Sequence, residues 1–235
     1  MIDVYMQRRT GRYELKDTGY GGIRLNNRKE FQLLSFSVVV VAKNHNPSLL
    51  NPDFLQIRKI VPEDYELAEP PLSTPVVAVV KYKQGIRIVV EMEKLQVLET
   101  INGGFPEHLS APLIASRYVR TLPHVRYTAV GINWSGHLEK ENPGVWLRDR
   151  FLSSGPWKDK PHELVGSDIL FRYQLGNVQC NLSLRSDSEV KVNANYHHEI
   201  ETYPGDEVVA AVVERWSDRL GHFRTLIRDA LGVEI

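Results

Sequence analysis

One cysteine, Cys180, stands in 235 residues. A lone thiol excludes an intramolecular disulfide and a thiolate metal cluster, so a reducing compartment is expected and Cys180 reads as a small core residue. Long apolar runs are lacking too. The longest aliphatic stretch, Val38–Ala42, is far too short to span a bilayer, and Met1–Glu30 holds no apolar segment of the signal-peptide kind. A cytoplasmic protein with no membrane partner is expected. No charge sign dominates: Lys plus Arg and Asp plus Glu number 29 each. Without a net field to draw in a polyanion, nucleic acid is a disfavoured partner.

The motifs that announce chemistry are also missing. The chain has no Gly-x-Gly-x-x-Gly, no P-loop, and no paired histidines at the spacings of zinc enzymes. Gly19, Gly21 and Gly22 lie in a polar leader. His197 and His198 are adjacent in a strand-like run, which sends their rings to opposite faces. Ser135-Gly136-His137 sets a hydroxyl near an imidazole but lacks an orienting acid, and it reads as a turn after Trp134. Glu63, Asp64 and Glu66 cluster around Tyr65 in a proline-rich stretch, where a solvated loop is expected. The chain is therefore expected to bind rather than catalyse, with no cofactor and no metal.

What the chain does have is an internal echo. A constant shift of 91 (127 − 36) sets Phe36, Val38, Val39 and Val41 on Tyr127, Ala129, Val130 and Ile132. The same shift sets Ala78, Val79, Val80, Lys81, Tyr82 and Gly85 on Ile169, Leu170, Phe171, Arg172, Tyr173 and Gly176. Such a repeat constrains architecture more than any single motif. It divides the chain into a polar arm, 1–29, a first half, 30–123, and a second half, 124–235, the two halves forming one pseudo-symmetric domain.

Each half reads strand, excursion, three strands, helix. In the first, β-branched density predicts a strand over Phe31–Ala42. Prolines 47, 52, 62, 70, 71 and 75 then mark an ordered loop or cap over 44–75. Val76–Lys83 and Ile86–Met92 read as a hairpin, Leu95–Leu98 as a short third strand, and Pro106–Leu122 as a helix that starts at Pro112. In the second half, Val125–Trp134 is the opening strand, and Asn142-Pro143 echoes Asn46-Pro47. Ser167–Gln174, Val178–Leu184 and Val190–His197 form the meander. With one extra residue allowed after Gly176, Ile86, Ile88, Val90 and Met92 match Val178, Cys180, Leu182 and Leu184 on one face. Val209, Val213, Trp216, Leu220, Phe223, Ile227 and Ala230 alternate gaps of four and three and predict one long closing helix. Its seam would suit a coiled-coil homodimer, but packing across the sheet is the stronger expectation.

The expected fold is α+β, a curved antiparallel sheet with long helices on one face, similar in outline to the TATA-binding-protein saddle or a helix-grip fold. The excursion blocks and Leu122-Pro123-x-Val125-x-Tyr127-x-Ala129-Val130-Gly131-Ile132-Asn133 carry a resemblance. The chain over about residues 30–230 resembles an uncharacterised, sporadically distributed family of bacterial proteins duplicated in the same manner. That resemblance implies the fold and no reaction.

If Val178, Cys180, Leu182 and Leu184 point into the core, Gln179, Asn181, Ser183 and Arg185 point away. In the next strand Lys191, Asn193, Asn195 and His197 do the same, whereas the first half offers Arg87, Val89 and Glu91. Asparagine is disfavoured in strands, so this face is a candidate hydrogen-bonding platform. The expected function is recognition of another protein through Tyr65 and Trp157 in the loops, or through Gln179, Asn181, Asn193, Asn195 and His197 on the sheet. The alternative is a small-ligand carrier whose cavity is lined by Trp216, Phe223, Tyr173 and Tyr127. Nucleic-acid binding by the asparagine-bearing face and the basic arm stands third, and an enzyme of unfamiliar type fourth.

Overall fold

The computed structural model describes residues 31–152, 155 and 165–233. The polar arm and Trp157 lie outside the described residues. In chain order the strands are β1 (Phe31–Lys43), β2 (Leu72–Ser73), β3 (Val77–Lys81), β4 (Ile86–Glu91), β5 (Lys94–Gly103), β6 (Arg126–Leu138), β7 (Asp168–Leu175), β8 (Val178–Ser186) and β9 (Val190–Glu199). The helices are α1 (Pro52–Ile57), α2 (Ala111–Thr121), α3 (Pro143–Phe151), α4 (Asp206–Glu214) and α5 (Trp216–Leu226). The class is α+β: the nine strands make one open antiparallel sheet in the order β2-β3-β4-β5-β1-β6-β9-β8-β7.

Apart from the edge strand β2, that order is palindromic about the central β1–β6 pair. On either side follow the third strand of a meander, then its second, then its first. Asn51-Pro52 and Asn142-Pro143, 91 residues apart (142 − 51), each open a helix with proline in its first turn. Proline suits that position because its missing N–H would be unpaired there anyway.

The 91-residue shift does not hold for side-chain direction in the central pair. Val40 stands opposite Val130 and Val38 opposite Ile132, all four buried, while Val39 stands opposite Gly131 on the other face. The shift would therefore set inward Val38 on outward Ala129. The pairing skips a residue between Val41–Ala129 and Ala42–Tyr127, and such a bulge moves every later side chain to the opposite face.

The inward face is packed by rings. Trp134 lies 4.6 Å from Phe36 and stacks at 6.2 Å on Phe223 of α5; Trp216 reaches both Phe36 and Trp134. Phe31 meets Phe223, and Phe151 of α3 meets Phe171 of β7. Large aromatic areas removed from water dominate such a core. α2 is fixed at its start by Glu99 of β5, whose carboxylate accepts the N–H groups of Ser110 and Ala111 at 2.8 and 2.7 Å. α2 joins α4 through Arg120, which bonds Glu207 and Glu214.

Three expectations are corrected. The closing helix is not continuous: it breaks at Arg215 between α4 and α5 and ends in a π-helical turn, Ile227–Leu231, with Gly232 left-handed. Its apolar seam nevertheless lands as expected, with Val209, Val213, Leu220, Phe223 and Ile227 buried. Ser135-Gly136-His137 is not a turn, because β6 runs on through it to Leu138. Gly136 is required there, since a Cβ would fall 2.4 Å from the Phe31 ring and 2.6 Å from the Gln32 carbonyl. The third strand of the first half, β5, is ten residues long rather than short. At the sheet's ends, β2 is two residues long, and β7 has eight with Leu170 half-exposed. Among the described residues no helix is long and apolar enough to cross a membrane.

Candidate functional site

All ring contacts between helices and sheet described above fall on the inward face. The outward face is where the meander β7–β8–β9 sends its polar side chains. Gln179 stands opposite His197, Asn181 opposite Asn195, Ser183 opposite Asn193, and Arg185 opposite Lys191. Strand alternation alone places these eight together. Two residues that sequence reasoning missed, Asn133 and Ser135 of β6, continue the same rows: they stand opposite Asn195 and Asn193. Ser37 of β1, opposite Asn133, extends them to the sheet's centre.

The amides form a ladder across strands. Asn181 Nδ2 donates to Asn195 Oδ1 at 3.3 Å, and Asn195 Nδ2 donates to Asn133 Oδ1 at 2.7 Å. Asn133 Nδ2 in turn donates to the Ser37 carbonyl at 3.3 Å, while Ser135 Oγ donates to Asn193 Oδ1 at 2.8 Å. Gly131 leaves room for this: a Cβ there would stand 3.1 Å from Asn195 Nδ2. The ladder lines a shallow concavity of about 270 Å³ with Ser37, Asn133, Ser135, Asn181, Asn193 and Asn195 in its wall. One acceptor is left over. Asn181 Oδ1 is buried and has no protein partner, and leaving such an atom unpaired costs about 1–3 kcal/mol. Chemically, the concavity offers fixed amide donors and acceptors together with serine hydroxyls.

Tyr65 does not join this face. Its hydroxyl donates to Ser110 Oγ at 2.9 Å and its ring meets Tyr82 at 5.5 Å, which ties the proline-rich excursion to the start of α2. Glu66, from the acidic cluster, is paired with Lys83 at 2.7 Å, and that bond holds its carboxyl below its usual range. The four rings proposed as a cavity wall are engaged elsewhere. Phe223 and Trp216 pack in the aromatic core, and Tyr127 donates to the carbonyls of Leu122 and Val119. Tyr173 lies near the edge, 6.0 Å from the His222 ring.

His197 and His198 do point to opposite faces. His197 joins the amide rows, whereas His198 is buried on the helix side, its Nε2 without a protein partner. Burial, reinforced by Arg219, His197 and Arg215, lowers its pKa to about 4, so it is neutral at pH 7. Nearby, the Tyr196 hydroxyl lies 2.8 Å from His222 Nδ1. Burial raises the tyrosine and lowers the histidine, so the hydroxyl donates and Nδ1 accepts. Among the described residues no group of three His, Cys, Asp or Glu side chains could hold a metal ion. No protein-family model matches the chain, and no curated protein matches it either.

Proposed function

We propose that the protein is a non-catalytic recognition module that binds a second polypeptide on the outward face of its sheet. One observation carries the reading: a row of opposed positions crosses the face and changes character midway. Gln179 stands opposite His197, His197 opposite Gly131, and Gly131 opposite Val39. From there the row runs through Gln96, Val89 and Val79 to Leu72. Gln179 and His197 make one end of the row polar, and Val39, Val89, Val79 and Leu72 make the other aliphatic around Gln96, with no lysine or arginine in the row. A polypeptide supplies both complements, since its backbone pairs with amides and its apolar side chains cover valines.

The test is purification of tagged protein with its partners, comparing two face variants with a control. Val39→Lys combined with Val79→Lys, and separately Asn193→Lys, are expected to lose a partner that Arg117→Ala, on exposed α2 surface, retains. Partners held equally by all three variants would overturn the reading.

We also infer that the halves descend from one doubled unit, as in the bacterial family that the sequence resembles, with the saddle or helix-grip outline that this implies. The palindromic strand order and the two Asn-Pro helix starts support this descent. The bulge in the central pair accounts for the one-residue slip.

A further inference from the structure

At one end of β8 and β9, between the sheet and α4, two depressions of about 530 and 420 Å³ share Asn177, His198, Val208 and Val212. They differ in charge. The larger is bordered by Glu199 and Glu201, which repel an anion. The smaller has a wall of Val208, Ala211 and Val212 and a rim of Arg215 and Arg219. Glu207 also borders it, but its carboxylate is held by the Arg120 guanidinium at 3.1–3.2 Å. Arg215 is likewise paired, with Asp218 at 2.9 Å.

Arg219 is different. It is half-buried, and among the described residues it has no ion pair or hydrogen bond. Its charge acts on Cys180, Tyr196, His198 and His222, all groups that are neutral at pH 7, and no carboxylate answers it. A guanidinium held partly out of water without a counter-ion is poised for one. The second unpaired group borders the same depression: His198 is 9% exposed with Nε2 unpartnered. Two unanswered polar groups beside a wall of aliphatic side chains define a ligand with an anionic head and an apolar body.

We propose that the depression formed by Val208, Ala211, Val212, His198 and Arg219 binds a small amphipathic carboxylate. The head pairs with the Arg219 guanidinium beside the His198 ring, and the body lies along the α4 wall. This site is on the helix side of the sheet, beside the larger depression that Gln179 and His197 of the polypeptide-binding face also border.

The experiment uses the full chain and octanoate as probe, followed by histidine side-chain NMR and calorimetry. Saturable binding that shifts the His198 ring signals is expected, with octan-1-ol producing no such shift. Arg219→Gln should weaken octanoate binding about tenfold or more, as expected when a charged partner is lost, and Arg219→Lys should recover part of it. Val212→Asp, which sets a carboxylate in the wall, should abolish binding while leaving the melting transition in place. Octanoate that leaves His198 unmoved, or that binds Arg219→Gln as well as the parent, would overturn the site. Inorganic phosphate shifting His198 as strongly as octanoate would overturn the apolar component.

Discussion

His198 shows how one side chain links burial to pH. Its pKa falls from 6.5 to about 4 on folding, chiefly because burial penalises the imidazolium. The unfolded chain binds the proton more tightly, so stability is complete above pH 6.5 and drains away as pH falls toward 4. Between pH 7 and pH 5 this residue should account for about 2 kcal/mol of lost stability. Urea unfolding at the two pH values should show that loss in the parent and a much smaller one in His198→Gln. Gly136 tests packing at the same scale. Gly136→Ala drives a methyl into the Phe31 ring and the Gln32 carbonyl, so a loss of about 2 kcal/mol is expected in the same measurement. Gly131→Ala meets only the ends of the Asn195 and Asn133 side chains and should be milder.

Elements here are held by groups outside themselves. The residue before α2, Ser110, makes no side-chain cap, and the role falls to Glu99 from the neighbouring strand. A carboxylate at a helix start meets the positive end of the helix dipole and two free N–H groups. Glu99→Ala should therefore lower stability by about 1–2 kcal/mol and increase amide exchange at Ser110 and Ala111 ahead of the rest of α2. The interruption between α4 and α5 has a similar logic. The apolar seam continues through Arg215, so the heptad-like spacing was readable while the break was not. Arg215 takes φ −88° and ψ 24°, outside the helical well. No proline or glycine marks the place in the sequence.

At the scale of the whole molecule, the sheet makes the two halves one object. β1 and β6 pair over most of their length, and Trp134 and Phe36 share one aromatic cluster. All four tryptophans belong to the second half, so their fluorescence reports that half and its contact with Phe36, and amide exchange in β4 and β5 reports the other. Both should follow a single urea transition with the same midpoint. Two separated midpoints would show that the halves unfold independently.

The meander strands, the closing seam and the eight outward residues were legible because alternation with a period of two is a strong, local signal. Ser135 escaped because the strand expected over Val125–Trp134 stops four residues short of Leu138, whereas Asn133 lies inside that strand and only the pairing of β6 with β9 sets it beside Asn195. The His198–Arg219 depression was illegible for another reason. Its two unpaired groups lie on different elements, and only packing of α4 and α5 against the sheet brings them near each other. An absent counter-ion has no sequence signature at all.

The sheet's two borders are built unlike each other. On one side, a two-residue strand flanked by Pro70, Pro71 and Pro75 presents almost no free backbone to which another chain could add. On the other, the eight residues of β7, with Ile169, Leu170 and Phe171 in sequence, pair with β8 alone among the described strands. Crowding the molecule should therefore breed lateral growth from the β7 border only, with assemblies that stop at two because the opposite border will not propagate them.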